Sequence, residues 1–234
     1  VDVRGLVATA FTHRDSRAGD PDLHTHVAVA NKVQTLSPDG TGKWLSIDGR
    51  LLFKAKVSAS ETYNTALEHH LADSLGVRFE ERPNPDARKR PVREIIGVDP
   101  ALNVQFSKRR ASVESRRKEL AAQFQRTHGR PPTPVETLQL AQQATLETRE
   151  GKHEPRSLDE QRTAWHAEAI GVLGTQDRLA AMVRSALHPS PGKGEAADAK
   201  WFAETVDRIL AAMEGSRATW QYWHVYAEAQ RQIR

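Results

Sequence analysis

The sequence contains no cysteine. Disulfide cross-links and thiolate metal ligands are therefore both excluded, any metal site must use His, Asp, Glu or water, and a reducing, cytoplasmic setting is expected. No apolar run approaches the roughly 20 residues that would cross a bilayer, and Val1 to Arg4 do not resemble a secretion signal. An internal repeat and a low-complexity tract are also absent. So is an initiating methionine: the chain opens at Val1 directly into a strand-like segment and reads as a fragment of something longer.

What is present is enough chain, 234 residues, for one large domain or one domain and part of another. With 38% hydrophobic and 27% charged residues, much of it should be solvated helix. The segments Leu6 to Phe11 and Val27 to Val33 are rich in β-branched and apolar residues. Between them Ser16-Arg17-Ala18-Gly19-Asp20-Pro21-Asp22 is turn chemistry, which predicts an antiparallel hairpin. A second turn, Ser37 to Gly42, leads to a short strand over Lys43 to Ile47.

From Arg50 the period changes. Phe53, Val57, Tyr63, Leu67 and Leu71 fall mostly at four-residue spacing and Gly76 stands where a terminating glycine belongs, so one amphipathic helix is predicted. A polar loop over Pro83 to Lys89 and a strand over Val92 to Val98 follow. Asp99-Pro100 then offers a cap and an N1 proline, and beyond it the chain is predicted helical almost to its end. Phe106, Val113, Leu120 and Phe124 make an apolar stripe running to Gly129. Thr133-Pro134-Val135-Glu136 and Ser157-Leu158-Asp159-Glu160 both fit the capping box, in which a hydroxyl and a Glu satisfy each other's free amides. Gly151 and Gly174 are the expected ends of those two helices. Pro189 to Gly194 is the linker candidate, with helices near Ala199 to Met213 and Arg217 to Arg234 after it. The expected fold class is α+β: an antiparallel sheet followed by a largely α-helical C-terminal half.

The most informative residues are His13, His24 and His26. Side chains alternate faces along a strand, so His24 and His26 project together while Thr25 points the other way. The turn near Ala18-Gly19 folds the preceding strand back and sets His13 opposite or diagonal to them, at cross-strand Cβ separations of roughly 4.5 to 8 Å. A lone strand histidine is ordinarily a packing or surface residue; three on one face are a ligand set. Neutral imidazoles suit divalent ions such as Zn, Mn, Co or Ni, and three protein ligands leave positions open for water or a phosphate oxygen. The other histidines lack ligand spacing: His69 and His70 are adjacent on a helix, and His128, His153, His166, His188 and His224 are scattered.

Charge points to an anionic partner. The net charge of +4 is modest, but from Arg78 to Lys118 twelve Lys/Arg stand against six Asp/Glu, a local excess above the whole-chain value. Arg88-Lys89-Arg90, Lys108-Arg109-Arg110 and Arg116-Arg117-Lys118 concentrate it. The first two clusters, with Arg17 and Lys32 flanking the histidines, are candidate contacts to a nucleic acid backbone. Trp44 is expected in the core rather than stacked on a base, and Trp220 and Trp223 on a helix face that packs on a partner or a further domain.

Phe11-Thr12-His13-Arg14-Asp15-Ser16-Arg17, then Asp20-Pro21-Asp22-Leu23-His24-Thr25-His26-Val27 and Asn31, is similar to the metal motif of MobF-family conjugative relaxases, the TrwC and TraI type of HUH endonuclease. The resemblance continues through Ala59-Ser60-Glu61-Thr62-Tyr63-Asn64, Phe106-Ser107-Lys108-Arg109-Arg110 and the later helices, in the style of actinobacterial members. It implies a sheet that bears the histidines as a palm and helical fingers that close over single-stranded DNA at an origin of transfer, with other relaxosome proteins as possible partners. It also implies His13, His24 and His26 as ligands of a divalent ion (Zn, Mn, Mg or similar). On this reading residues 1–106 are the C-terminal portion of the palm, 107–188 the helical fingers, and 189–234 a linker and the start of a further helical region.

In the family a tyrosine hydroxyl upstream of the histidines attacks the scissile phosphate and leaves a 5′-phosphotyrosyl link. Tyr63, Tyr222 and Tyr226 do not match that position, nor does the chain include the upstream acidic partner that orients a ligand histidine in relatives. No strand cleavage by this chain alone is expected. Two other readings of the residues stand beside this one: a zinc-dependent hydrolase of another class, since His-x-His with a distant His also builds such sites, and a non-catalytic helical interaction module.

Overall fold

A computed structural model describes residues 2–37, 41–83, 91–151, 154–189 and 198–234. Arg88, Lys89 and Arg90, the loop that holds them and most of the linker candidate lie outside the described residues. In chain order the elements are β1 (Ala8–Asp15), β2 (Pro21–Val29), β3 (Val33–Gln34), β4 (Trp44–Leu45), α1 (Gly49–Leu75), β5 (Phe79–Glu81), β6 (Arg93–Ile95), α2 (Pro100–Gln105), α3 (Lys108–His128), α4 (Pro134–Glu147), α5 (Leu158–Leu173), α6 (Gln176–Leu187), α7 (Ala199–Ser216) and α8 (Tyr222–Gln232). The strands pair as three antiparallel two-stranded ribbons, β1-β2, β3-β4 and β5-β6. The α+β class expected from the sequence is the class observed.

The chain divides into two compact units that interleave along the sequence. One comprises Val7–Ala30 and Asp99–Ala181; the other comprises Val1–Leu6, Asn31–Val98 and Met182–Arg234. This differs from the contiguous division at 106 and 188, because the first hairpin packs with helices that follow it by a hundred residues rather than with its sequence neighbours. Residue order therefore does not mark the units.

In the first unit β1 and β2 pair with Phe11 opposite His26, Thr12 opposite Thr25 and His13 opposite His24, and the register shifts between His13 and Asp15. The hairpin sits nearer its turn than the apolar runs suggested. The ladder continues through polar residues up to Asp15 and resumes at Pro21 because the turn is tight: Ser16 Oγ accepts from the amides of Ala18 and Asp20, and Gly19 N–H donates to the Ser16 carbonyl at 3.0 Å. Gly19 takes φ 78°, a left-handed conformation that glycine adopts without strain. Around the hairpin, α2 begins with the Asp99 cap and the N1 Pro100, and α4 and α5 both begin with complete capping boxes, Thr133–Glu136 and Ser157–Glu160. Gly129 and Gly174 cap α3 and α5 as expected, whereas α4 stops at Glu147 with Thr148 as its cap, before Gly151. Phe106 falls at the α2 C-cap, so the apolar stripe of α3 starts only at Val113. The apolar core is thin, with Leu102, Leu120, Ala144, Ala169 and Leu173 buried, and the polar Asp20 and Gln161 are buried with them.

In the second unit α1 runs from the Asp48 cap to Gly76, as its periodicity predicts. Not all of its apolar positions turn inward, however: Val57 and Leu71 are half-buried. Phe53 and Tyr63 are 70% and 61% exposed, and the buried residues of α1 are Ser58 and Glu61. The helix packs on α8 through polar groups instead: Glu61 binds Arg231 and Arg234 at 2.8 Å each, and Thr65 Oγ1 donates to the Gln230 carbonyl at 2.9 Å. A buried carboxylate needs cationic partners, so the two arginines fix which face turns inward. Trp44, expected in the core, is 56% exposed in the two-residue strand β4.

Candidate metal centre and its surroundings

The histidine cluster lies wholly within the first unit. Strand alternation puts His24 and His26 on one face of β2, and the register puts His13 beside them from β1. The ring centres are 5.4 Å apart for His13–His24, 4.9 Å for His13–His26 and 4.9 Å for His24–His26. Imidazoles bound tetrahedrally at a metal–nitrogen distance of about 2.0–2.1 Å hold their ring centres about 5 Å apart. The observed spacing fits that requirement. The nitrogen orientations do not yet meet it, since no group of three or more His, Asp or Glu side chains among the described residues is set to hold an ion as it stands.

His24 is already oriented. Its Nδ1 lies 2.7 Å from the Asp22 carbonyl oxygen and 3.4 Å from Asp22 Oδ2. Two acceptors at one ring nitrogen place the proton on Nδ1 and the lone pair on Nε2, the arrangement that prepares a histidine for ligation. Asp22 was not singled out from the sequence. It stands two residues before His24 in the same strand, and alternation alone would have put it on the histidine face.

The three histidines line a cavity of about 700 Å³ with Asp15, Ser16, Arg17, Asp22, Arg109, Thr145, Leu146 and Arg149. Arg17 and Arg109, both sequence candidates, are among these lining residues; Arg109 is tethered to the C-terminal end of α4 and Arg17 to the segment just past it. Arg109 donates to the carbonyls of Thr145 and Thr148 at 3.3 and 3.4 Å, and Arg17 donates to that of Glu150 at 3.2 Å. The last carbonyls of a helix lack intrahelical partners and carry partial negative charge, so guanidinium groups satisfy them well. Arg110 is exposed and lines a second cavity of about 400 Å³ that shares Ser16, Asp22 and Arg109 with the first.

Other candidates are placed elsewhere. Lys32 is exposed and belongs to the other unit. Lys108 is committed to carboxylates, with its ammonium 2.6 Å from Glu168 and 3.3 Å from Asp20. The hydrogen bond to Glu168 is the main reason the Lys108 pKa is raised, and the same bond, followed by one from Gln105, lowers that of Glu168. Trp220 is exposed, while Trp223 is half-buried beside Met213 in a cavity of the other unit.

A set of long-range contacts that sequence reasoning missed holds the hairpin turn. Trp165 Nε1 donates to the Gly19 carbonyl at 2.7 Å, Gln161 donates to Asp15 at 2.8 Å, and Arg156 pairs with Asp15 at 3.3 Å. These residues come from the start of α5, about 140 positions away, and no local pattern announces them.

No helix among the described residues is long and apolar enough to cross a membrane. Residues 1–172 match the TrwC relaxase family. The multifunctional conjugation protein TraI of Escherichia coli is 32% identical over 116 residues, which cover 42% of this chain and 6% of TraI. Solved structures of the conjugative relaxase TrwC in complex with OriT DNA are similar in fold. The metal-free and copper-bound forms both have a TM-score of 0.51, 27% identity and coverage of 71% of this chain, and of 52% and 50% of theirs. The chain thus spans about half the length of the solved relaxases it matches. With a family match over most of its length, the chain belongs to the TrwC relaxase family.

Proposed function

We propose that this chain is the histidine-bearing part of a conjugative DNA relaxase, and that it binds a divalent metal ion through His13, His24 and His26 and a single strand of origin DNA beside it. The observation that carries this reading is the meeting of three imidazole rings at 4.9–5.4 Å on one hairpin face, in a cavity that also holds Arg17 and Arg109. Small rotations of rings already at ligand spacing would aim three nitrogens at one point, and the Asp22 acceptors leave His24 Nε2 available. A bound divalent ion would supply Lewis acidity toward a non-bridging oxygen of the scissile phosphodiester. The residues around it hold the strand: Arg17 and Arg109 face the cavity with fixed positive charge, and Arg110 extends that charge into the neighbouring cavity. Solved TrwC relaxases in complex with OriT DNA, in metal-free and copper-bound forms, support both ligands.

None of Tyr63, Tyr222 and Tyr226 is among the residues that line the histidine cavity. The polypeptide of 234 residues is therefore proposed to bind without forming a phosphotyrosyl bond by itself. Isothermal titration of the chain with Zn²⁺ and Mn²⁺, followed by incubation with a labelled single strand carrying its origin site, tests both parts. Saturable metal binding and no covalent DNA adduct are expected. Absence of metal binding would remove the first part, and a denaturation-resistant adduct the second.

A further inference from the structure

The histidine cavity has one wall that neither the motif nor the basic clusters predicts: the end of α4, which contributes Thr145, Leu146 and Arg149. The arginines of the cavity are not equivalent. Arg109 spends guanidinium N–H groups on the Thr145 and Thr148 carbonyls that close α4, and Arg17 spends one on the Glu150 carbonyl just beyond the helix. Arg149, two residues past the last residue of the helix, makes no side-chain hydrogen bond or ion pair among the described residues, and its backbone N–H turns back to the Leu146 carbonyl at 3.2 Å. That turn sets an uncommitted guanidinium beside Leu146, which is 60% exposed.

We infer that the end of α4 is a nucleotide-contact wall, in which Arg149 holds a backbone phosphate of single-stranded DNA and Leu146 supports the adjoining sugar or base. A free guanidinium presents a planar fork of donors that matches two phosphate oxygens at once, and it does so here with no internal acceptor to compete. Arg17 and Arg109 reinforce the field but have part of their donor set turned toward the helix. An exposed leucine next to cations and imidazoles has no internal apolar partner to gain, and a deoxyribose or base face would cover it. This inference rests on the proposed reading of the cavity as a single-stranded DNA site and assigns two residues to it.

The test is fluorescence anisotropy of a labelled single-stranded oligodeoxynucleotide of mixed sequence, titrated at several salt concentrations with the full chain and with Arg149→Ala, Leu146→Ala and Arg126→Ala. The last variant removes an exposed arginine near the far end of α3, outside the cavity. Arg149→Ala is expected to weaken binding about tenfold and to reduce the salt slope by about 0.7, as loss of one phosphate contact to a single strand does. Leu146→Ala should weaken binding less and leave the slope unchanged, and Arg126→Ala should do neither. Zinc affinity by calorimetry should be the same for the full chain and Arg149→Ala, because Arg149 is not a ligand. Wild-type affinity and slope in Arg149→Ala, or an equal loss in Arg126→Ala, would overturn the inference while leaving the reading of the site intact. Failure of the unaltered chain to bind the oligonucleotide would instead overturn the reading, and the inference with it.

Discussion

Asp20, in the turn of the histidine hairpin, caps α3 from 88 positions away: its Oδ2 accepts the backbone N–H of Lys108 at 3.0 Å. The residue at the helix N-cap, Ser107, makes no capping bond, because its hydroxyl donates to the Asn103 carbonyl instead. The carboxylate therefore faces the positive end of the α3 dipole and the Lys108 ammonium together while only 3% of the residue is exposed.

Asp20→Ala is expected to destabilise the chain by about 2 kcal/mol, since it leaves a helix-end amide without its buried acceptor and removes one of the two carboxylates at the Lys108 ammonium. Asp20→Asn, which keeps an acceptor and loses the charge, should cost about half as much. Urea unfolding followed by circular dichroism measures both, and equal stability of all three proteins would contradict the capping role.

The Lys108–Glu168 pair shapes the pH dependence of stability. Glu168 is held below the ordinary carboxylate range, first by the hydrogen bond from Lys108 and then by that from Gln105. Its contribution is complete above the ordinary value of about 4.3 and is lost as the pH falls through the lowered folded value. Lys108, raised mainly by Glu168, keeps its contribution below the ordinary value of about 10.4 and loses it only as the pH rises through its raised value. Both side chains are about one-third exposed, so solvent reduces the effect to about 0.5 kcal/mol. Glu168→Gln should flatten the acid limb of the unfolding midpoint plotted against pH.

Ser157→Ala removes the hydroxyl half of the α5 capping box and should cost about 1 kcal/mol. The first turns of α5 also carry Gln161 and Trp165 to the hairpin turn. Hydrogen exchange at Gly19 and Asp20 is therefore expected to accelerate in the variant, whereas Thr133→Ala, at the α4 box, should cost a similar amount without that local change.

His13→Ala, His24→Ala and His26→Ala should each lower Zn²⁺ affinity by more than about 100-fold, because each removes one of three ligands. Asp22→Ala removes only the longer, side-chain contact to His24 Nδ1 and leaves the Asp22 carbonyl in place, so a loss of about tenfold or less is expected. Calorimetry at fixed pH compares the four variants, and equal affinity in all of them would exclude the hairpin as the binding place.

Much of this was legible in residue order because it depends on neighbours within one turn of chain. Asp99-Pro100, Thr133–Glu136, Ser157–Glu160, Gly76, Gly129 and Gly174 end or begin helices where capping chemistry requires. His24 and His26 share a face because strands alternate, and the Ser16–Gly19 turn brings His13 to them. Less legible were the strand limits, since polar residues near a tight turn still pair, and the inner face of α1, where Glu61 and its two arginines outweigh the apolar spacing.

The sequence by itself thus determined most of the helix caps, the hairpin and the three-histidine face, because alternation, capping and turn geometry are local and act before any packing. Only the tertiary structure decided that Asp20 caps α3, that Trp165 and Gln161 hold the turn, that Lys108 serves carboxylates, and that Arg149 reaches the histidine cavity. Those outcomes depend on which charges are brought out of water together, and desolvation is set by residues a hundred or more positions apart rather than by any pattern along the chain.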